Sequence, residues 1–140
     1  MKKYKIGYTA GAFDLFHIGH LNLLMRAKEA CEYLIVAVST DELICEYKNK
    51  KPFIPFSERK AIVESIKYVD KVVVQENRNK TAAFEKYKFD AMFVGDDWKG
   101  DDLFKETENF LLARNSCIVY LPYTKNISSS KLKQIIDELL

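Results

Sequence analysis

Apolar residues recur along this chain in two patterns that alternate from one end to the other. Nearly continuous apolar runs such as Leu34–Val38 are typical of a parallel strand covered on both faces. Elsewhere apolar residues return every three or four positions, as Leu24, Ala27 and Cys31 do, which favours amphipathic helices. The patterns predict strand Tyr4–Thr9, helix His17–Cys31, strand Tyr33–Ser39, helix Ser57–Lys67, strand Lys71–Gln75, helix Thr81–Tyr87, strand Ala91–Val94, helix Leu103–Arg114, strand Cys117–Leu121 and helix Ser129–Leu139.

This alternation of strands and helices predicts an α/β fold, a Rossmann-like three-layer sandwich with a five-stranded parallel sheet. The length of 140 residues suits one domain with its own core, so residues 1–140 are expected to form a single domain. Ligands of such sheets bind at the carboxyl ends of the strands. The loops expected to meet there are Thr9–Phe16, Ser39–Asp41, Gly95–Asp102 and Pro122–Ser129.

Charge and cysteine content narrow the class of protein. The chain has 22 Lys and Arg against 20 Asp and Glu, and the two signs are interspersed, which argues against nucleic acid as a partner. Its three cysteines show no paired spacing, as expected for reduced thiols in the cytoplasm. No apolar run is long enough for a signal peptide or a membrane span. We therefore expect a cytoplasmic protein with no membrane partner.

The segment Gly11–His20, between the first strand and the first helix, predicts a phosphate site. Gly11 permits a tight turn or a close backbone approach, and Asp14 can cap the turn. His17 and His20 lie three residues apart at the start of the helix, where the helix dipole disfavours an imidazolium. Free N–H groups and two neutral imidazoles suit nucleotide phosphates and the charge that develops on a leaving pyrophosphate. The alternatives are two exposed capping histidines, or half of a metal site that lacks further ligands at suitable spacing.

A second candidate region is the basic segment Tyr47–Pro52, which we interpret as a loop. It carries Lys48 and Lys50, and it precedes a helix for which Ser57 is the predicted N-cap. Arg59 would then lie in the first turn, where a fixed cation opposes the helix dipole unless an anion is bound. The alternative is a solvated lysine-rich loop.

Two further loops carry polar groups after predicted strands. The segment Gly95–Asp102 places four carboxylates around Trp98, the only tryptophan. Such a cluster suits Mg²⁺, which takes one or two carboxylates together with phosphate oxygens and waters; the alternative is that Asp101 or Asp102 caps the next helix. In the last loop, Ser128–Ser130 are either helix caps or donors to phosphate.

The segment Gly11-Ala12-Phe13-Asp14-Leu15-Phe16-His17-Ile18-Gly19-His20 resembles the signature of the cytidylyltransferase branch of the nucleotidyltransferase superfamily. The likeness is greatest to glycerol-3-phosphate cytidylyltransferases, and it covers nearly the whole chain. It continues through Ser39-Thr40-Asp41, Glu58-Arg59-Lys60, Tyr68-Val69-Asp70, Gly95-Asp96-Asp97-Trp98 and Ile127-Ser128-Ser129. The chain departs from the pattern at Lys67 and Tyr123, where the family commonly has arginine, and at Asn126, where it has glycine.

The resemblance implies transfer of the cytidylyl group of CTP to a small phosphorylated alcohol, with glycerol 3-phosphate as the first candidate. It implies Mg²⁺ carried by the nucleotide phosphates, and a homodimer. The implied catalytic residues are His17, His20, Lys48 and Arg59. The implied nucleotide-binding residues are Thr9, Ala10, Gly11, Ala12, Phe13, Asp14, Gly95, Asp97, Trp98, Tyr123, Ile127, Ser128 and Ser129. The implied acceptor-binding residues are Asp41, Lys48 and Lys50.

Other functions remain open at this point. Phosphocholine, phosphoethanolamine or a phosphonate would serve as acceptor by the same chemistry. An adenylyltransferase shares the His-x-Gly-His element but uses ATP. A regulatory module would bind the nucleotide without turnover.

Overall fold

The computed structural model describes residues 2–96, 99–122 and 129–139, and for Ser129 and Ser130 it describes the backbone alone. Its elements are β1 Tyr4–Gly11, α1 Ile18–Ala30, β2 Cys31–Ser39, α2 Asp41–Lys48, α3 Phe56–Glu64, β3 Lys71–Gln75, α4 Lys80–Tyr87, β4 Ala91–Gly95, α5 Asp102–Leu112, β5 Cys117–Leu121 and α6 Ser129–Leu139. Among the helices of these described ranges, none is both long enough and apolar enough to cross a lipid bilayer.

The strands form one five-stranded parallel sheet in the order β3-β2-β1-β4-β5. From β1 at the centre, the chain first moves outward through β2 to β3 and later through β4 to β5. The direction of winding therefore reverses beside β1. Ligands of such sheets bind in the crevice outside the carboxyl ends of the strands at this reversal, which places the candidate site at the end of β1.

Helices cover both faces of the sheet because successive strand residues point into two different cores. One core contains Leu24 of α1 and Val63 of α3, and the other contains Phe84 of α4 and Leu111 of α5. Residues Leu34–Ser39 of β2 are buried throughout, which explains why this run lacks polar alternation. The Rossmann-like three-layer prediction is confirmed.

Helix α2 was not predicted from the sequence. The Thr40 hydroxyl caps its start by accepting a hydrogen bond from the N–H of Leu43 at 3.1 Å, and Asn49 ends it in the left-handed conformation at φ 55°. The basic segment after β2 is therefore helical as far as Lys48, and the interpretation of it as a loop is wrong for Tyr47 and Lys48. Only the basic end of this eight-residue helix was considered from the sequence, and its buried Leu43 and Ile44 were overlooked.

The predicted N-cap and end of α3 are also wrong. The helix begins at Phe56, and its N-cap is Pro55, so Ser57 is not the cap. The helix ends at Glu64, earlier than predicted, because Ser65 closes the last turn with hydrogen bonds to the carbonyl groups that precede it. The other predicted elements agree with the structure to within two residues at each end.

Gly7 lies in the middle of β1, where Phe93 and Cys31 leave no room for a side chain. A β-carbon there would stand 2.6 Å from Cε2 of Phe93 and 2.7 Å from Sγ of Cys31. Both neighbours are fully buried. We expect Gly7→Ala to lower the free energy of unfolding by about 1–3 kcal/mol, measured by urea denaturation.

Gly100→Ala is the control for this substitution. A β-carbon at Gly100 meets nothing within 4 Å. Gly100→Ala should therefore lower the free energy of unfolding only through the positive φ of 91°, by about 1 kcal/mol. Equal stability of Gly7→Ala and the wild type would contradict the packing described for β1.

Candidate active site

A cavity of about 570 Å³ lies at the carboxyl edge of the sheet, where four strands end at Gly11, Ser39, Gln75 and Gly95. Its size suits a nucleotide. The structure brings together in its wall the following predicted site residues: Thr9, Ala10, Gly11, Ala12, Phe13, Asp14, His20, Lys48 and Gly95.

The segment 12–17, which follows β1, has an unusual backbone conformation. Phe13 and Leu15 have φ values of 53° and 49°, in a region that costs a residue other than glycine about 1–3 kcal/mol. Phe13 is nonetheless buried, and its ring lies 5.4 Å from that of His20. A β-carbon at Gly11 would lie 3.3 Å from the Phe13 ring, so this glycine permits a close approach. The surrounding packing therefore sets the shape of the loop.

Asp14, between the two strained residues, holds this loop in place. Its carboxylate accepts hydrogen bonds from the N–H groups of Phe53 and Ile54, both at 2.9 Å, and of Leu15 at 3.1 Å. It also pairs with Lys133 of α6 at 2.9 Å. Burial alone would raise the pKa of Asp14, but these hydrogen bonds and the lysine outweigh it and lower the pKa. Asp14 therefore connects three parts of the chain: the loop after β1, the turn before α3, and helix α6.

His17 and His20 cap the start of α1 by accepting hydrogen bonds from backbone N–H groups. Nδ1 of His17 accepts from the N–H of Gly19 at 3.0 Å, and Nδ1 of His20 accepts from the N–H of His17 at 3.2 Å. The arrangement is a capping box with imidazoles in the positions usually held by Ser or Thr and by Glu or Gln. Because each Nδ1 accepts a hydrogen bond, each neutral ring carries its proton on Nε2.

The two imidazoles also influence each other's charge. Their rings stack with centroids 3.9 Å apart. Burial lowers the pKa of His17, and burial followed by repulsion from His17 lowers the pKa of His20 to about 3. At neutral pH the free protein therefore presents two neutral N–H donors at a helix N-terminus, where anions are favoured. His20 lines the cavity, whereas His17 stacks on the ring of His20 and is not part of the cavity wall.

Lys48 and Lys50 occupy different places. Lys48, the last residue of α2, lines the main cavity, and partial desolvation together with the neighbouring Lys133 lowers its pKa. Lys50 lines a neighbouring cavity against α6, with Lys48 and Lys133 in the same wall. Lys48 therefore connects the two cavities, while Lys50 stands outside the one that contains His20.

Arg59 is fully buried and bonds to the protein itself. Its guanidinium donates to the carbonyl oxygens of Ile54, Ala12 and Ser39 at 2.7–2.8 Å, and it pairs with Asp41 at 2.6 Å. This geometry does not support the prediction that Arg59 clamps a phosphate directly, because its side chain is not exposed to the cavity. Arg59 is a positioning residue that joins the ends of β1 and β2, and Asp41 is its counter-ion.

Five predicted nucleotide-binding residues fall outside the part of the chain that the structure describes: Asp97, Trp98, Tyr123, Ile127 and Ser128. Ser129 is the first residue of α6.

In the acidic segment after β4, Asp101 has an observed role in folding. Asp101 caps α5 by accepting a hydrogen bond from the N–H of Leu103 at 2.9 Å, which confirms that alternative for Asp101. Within residues 2–96, 99–122 and 129–139, no three His, Cys, Asp or Glu side chains are grouped so that they could hold a metal ion.

Sequence reasoning missed two cations of the cavity wall. Arg78 lies in the loop after β3, and Lys80 is the first residue of α4. The loops considered above follow the other four strands, although the rule that ligands bind at strand ends applies equally to β3. The pair of cations after Gln75 was the signal that could have found them.

The family is decided by comparison with known proteins. The sequence model of the cytidylyltransferase-like family matches residues 8–135. The chain belongs to this family. It is 41% identical over 133 residues to the glycerol-3-phosphate cytidylyltransferase of Bacillus subtilis (strain 168), covering 94% of this chain and 96% of that protein. It is 40% identical over 128 residues to the glycerol-3-phosphate cytidylyltransferase of Staphylococcus aureus (strain NCTC 8325 / PS 47), covering 90% of each.

Solved structures support the fold. A lipopolysaccharide core biosynthesis protein from Thermoplasma volcanium superposes with a TM-score of 0.71 at 22% identity, covering 89% of this chain and 99% of that one. Pantothenate synthetase from Thermus thermophilus superposes with a TM-score of 0.66 at 13% identity, covering 96% of this chain and 66% of that one. At these identities the likeness concerns architecture alone.

The lowered pKa of His20 predicts how stability of this cytidylyltransferase-like protein depends on pH. Unfolded histidine titrates near pH 6.5, whereas the pKa of His20 in the fold is about 3. Below pH 6.5 the unfolded chain therefore binds a proton that the folded chain does not, and the free energy of unfolding falls as pH falls. Between pH 7.5 and 5 we expect this histidine to account for a loss of about 1–2 kcal/mol, measured by urea denaturation.

His20→Gln is the matched variant, because Gln at this position of a capping box can still bond to the N-cap N–H. Its stability should decline less than that of the wild type over the same pH range. Parallel declines in the two proteins would contradict the assigned environment of His20. The lowered pKa of Asp14 also makes the free energy of unfolding fall as pH falls. This loss occurs below pH 5, because an unfolded aspartate titrates near pH 4.

Proposed function

We propose that this protein transfers the cytidylyl group of CTP to glycerol 3-phosphate, forming CDP-glycerol and releasing pyrophosphate. Two kinds of observation support the proposal. Relatives about 40% identical over 90–94% of the chain are named glycerol-3-phosphate cytidylyltransferases. In the structure, the main support for this function is the pair of imidazoles that cap α1 beside the cavity at the end of β1.

The proposed reaction is a direct displacement at phosphorus. A phosphate oxygen of glycerol 3-phosphate attacks the α-phosphorus of CTP, and the bond from the α-phosphorus to the oxygen shared with the β-phosphate breaks. The electron pair of that bond leaves with pyrophosphate. The acceptor phosphate is already anionic at neutral pH, so no protein nucleophile or general base is required. The protein contributes alignment of the two substrates and stabilisation of the charge that moves onto the leaving group.

The two histidines are well suited to stabilise that charge. Their Nδ1 atoms are fixed by backbone N–H groups, so each Nε2–H is held in one direction before the substrate arrives. Such preorganised donors interact most strongly where negative charge develops. Lys48 adds a positive charge in the same cavity wall. Arg59 acts indirectly, by holding the carbonyl groups of Ala12 and Ser39 in place.

We propose that Mg²⁺ accompanies the triphosphate of CTP. The described residues do not form a protein cage for it. Asp14, the carboxylate in the described wall of the main cavity, is bound by Lys133 and by backbone N–H groups. The described residues therefore do not form a binding site for a metal ion held by the protein itself. The roles assigned above to the histidines, Lys48 and Arg59 do not require one.

We further propose a cytoplasmic homodimer whose substrates are small molecules. The family resemblance supports the dimer, and Ile18 at the start of α1 is an apolar side chain that is 54% exposed. The near balance of charges supports small substrates over nucleic acid.

The direct test is turnover with defined substrates. The purified protein is incubated with Mg²⁺, each of the four nucleoside triphosphates and, in turn, glycerol 3-phosphate, phosphocholine, phosphoethanolamine and a phosphonate. We expect pyrophosphate release with CTP and glycerol 3-phosphate, and CDP-glycerol as the product by mass spectrometry. A preference for ATP, or tight CTP binding without turnover of any acceptor, would contradict the proposal.

The roles of the histidines are tested by variants that keep the helix cap. Asn is a good N-cap and Gln suits the third helical position, so His17→Asn and His20→Gln retain the backbone hydrogen bonds but lose the imidazole N–H donors. We expect each to lower kcat by about 10²-fold while the thermal midpoint changes by only a few degrees. Full turnover in both variants would contradict the assignment.

A further inference from the structure

A second cavity lies at the edge of the sheet, between the outer strand β3 and helix α4. Its volume is about 550 Å³, and we call it the edge cavity. Lys71 of β3 and Ala83, Lys86 and Tyr87 of α4 form much of its wall. Among the described residues, Gln75 alone lines both this cavity and the main cavity. The edge cavity is therefore a separate site.

Small side chains on α4 leave this space open. The helix packs against α5, where the ring of Phe84 meets that of Phe110 with 5.9 Å between centroids. In the edge cavity α4 contributes Ala82 and Ala83, and β3 contributes Val73. The alanine side chains are too short to fill the space beside the strand. The apolar part of a ligand would therefore find apolar groups on both sides.

Tyr8 of β1 reaches the edge cavity from the core of the protein. The residue is 2% exposed. Its ring stacks on that of Phe89 with 4.8 Å between centroids, and on that of Tyr87 with 5.8 Å between centroids. This packing fixes the position of the ring, and with it the position of the hydroxyl group.

The hydroxyl of Tyr8 has no hydrogen-bond partner among the described residues. The other four buried hydroxyl side chains there each have one, namely Thr9, Ser39, Thr107 and Ser116. Every described side-chain nitrogen or oxygen atom that lacks accessible surface is hydrogen-bonded, so the unbonded Tyr8 hydroxyl retains some accessible surface. Since Tyr8 lines the edge cavity, its hydroxyl opens there.

Packing alone does not account for a tyrosine at this position. A buried hydroxyl without a partner disfavours folding, and a phenylalanine would stack on the same two rings without that cost. Burial, and then repulsion from Tyr87, raise the pKa of Tyr8, so the hydroxyl keeps its proton at neutral pH. It can therefore donate to a ligand that accepts a hydrogen bond.

The other polar groups of the wall favour an anion. Lys71 and Lys86 are exposed and take part in no ion pair of the described residues. Within the described wall they outnumber the carboxylate of Glu76. The Oδ1 atoms of Asn77 and Asn79 already accept hydrogen bonds from backbone N–H groups. The wall therefore offers mainly hydrogen-bond donors and a surplus of positive charge.

We propose that the edge cavity is a second ligand site, which binds a small organic anion with an apolar body. The acidic group accepts a hydrogen bond from the Tyr8 hydroxyl and is attracted by Lys71 and Lys86, while the apolar body packs on Tyr87 and Ala83. A carboxylate and a phosphate ester share this chemistry. The inference does not depend on the proposed function, because the two sites have different walls.

The test measures binding of three matched probes to the full chain by ¹⁹F NMR titration at neutral pH. The probes are 4-fluorobenzoate, 4-fluorophenyl phosphate and the neutral 4-fluorobenzyl alcohol. We expect at least one of the anions to bind about tenfold or more tightly than the alcohol, as for hydrogen bonds to a charged group. The anion that binds identifies the acidic group as carboxylate or phosphate.

Three variants locate the bound probe. Tyr8→Phe keeps the stacked ring and removes the hydroxyl, so we expect the Kd of the anion to rise about tenfold while the thermal midpoint equals or exceeds that of the wild type. Lys86→Gln should also raise the Kd, but by less, because an exposed charge is screened by salt. Lys80→Gln is the matched control, because Lys80 belongs to the same helix but lines the main cavity and not the edge cavity. Its Kd should equal that of the wild type.

The other outcomes would overturn the proposal. They are a failure of both anions to bind, and equal affinity for the alcohol and the anions. An anion Kd that Tyr8→Phe leaves unchanged would place the probe elsewhere on the protein. If Lys80→Gln weakened that binding instead, the probe would lie in the main cavity.

Discussion

The geometry of this site depends on the hydrogen bonds by which the Nδ1 atoms of His17 and His20 cap the start of α1. A helix N-terminus needs acceptors for its unpaired N–H groups, and here the acceptors are the Nδ1 atoms of His17 and His20. His20 lines the cavity. Capping the helix therefore also fixes the tautomer and the direction of both imidazoles. Since the stacked rings are partly desolvated, neither gains a proton at neutral pH, and both remain donors to an anion.

Two buried charged residues keep this helix start where the strands end. Asp14 fixes the strained loop between β1 and α1 and connects it to α6 through Lys133. Arg59 connects the ends of β1 and β2 through the carbonyl groups of Ala12 and Ser39. These contacts are internal, so the shape of the cavity is largely set before a substrate binds. Changes at Asp14 or Arg59 would therefore affect substrate binding and stability together.

The sequence was sufficient for the sheet and for the position of the site, because strands buried on both faces have continuous apolar runs and because ligands bind at their carboxyl ends. It also placed the two histidines at the start of α1, where capping was one of the alternatives that it left open. It could not reveal that Arg59 is buried, since the same arginine in a first helical turn serves equally well as an internal anchor or as an anion clamp. Nor could it reveal the approach of Lys80 to the cavity, which depends on how α4 packs against the sheet. Helix α2 was overlooked although Thr40 stands in the sequence as its N-cap.

Both histidines are neutral Nε2–H donors in the free protein, and ¹⁵N NMR of the imidazole rings can detect this state directly. The chain contains two histidines, so the single variants His17→Asn and His20→Gln assign the signals. At pH 7 we expect a protonated Nε2 and an unprotonated Nδ1 in both rings, with the signals of His20 unchanged on lowering the pH to 5. A proton on Nδ1, or an imidazolium at pH 7, would contradict it.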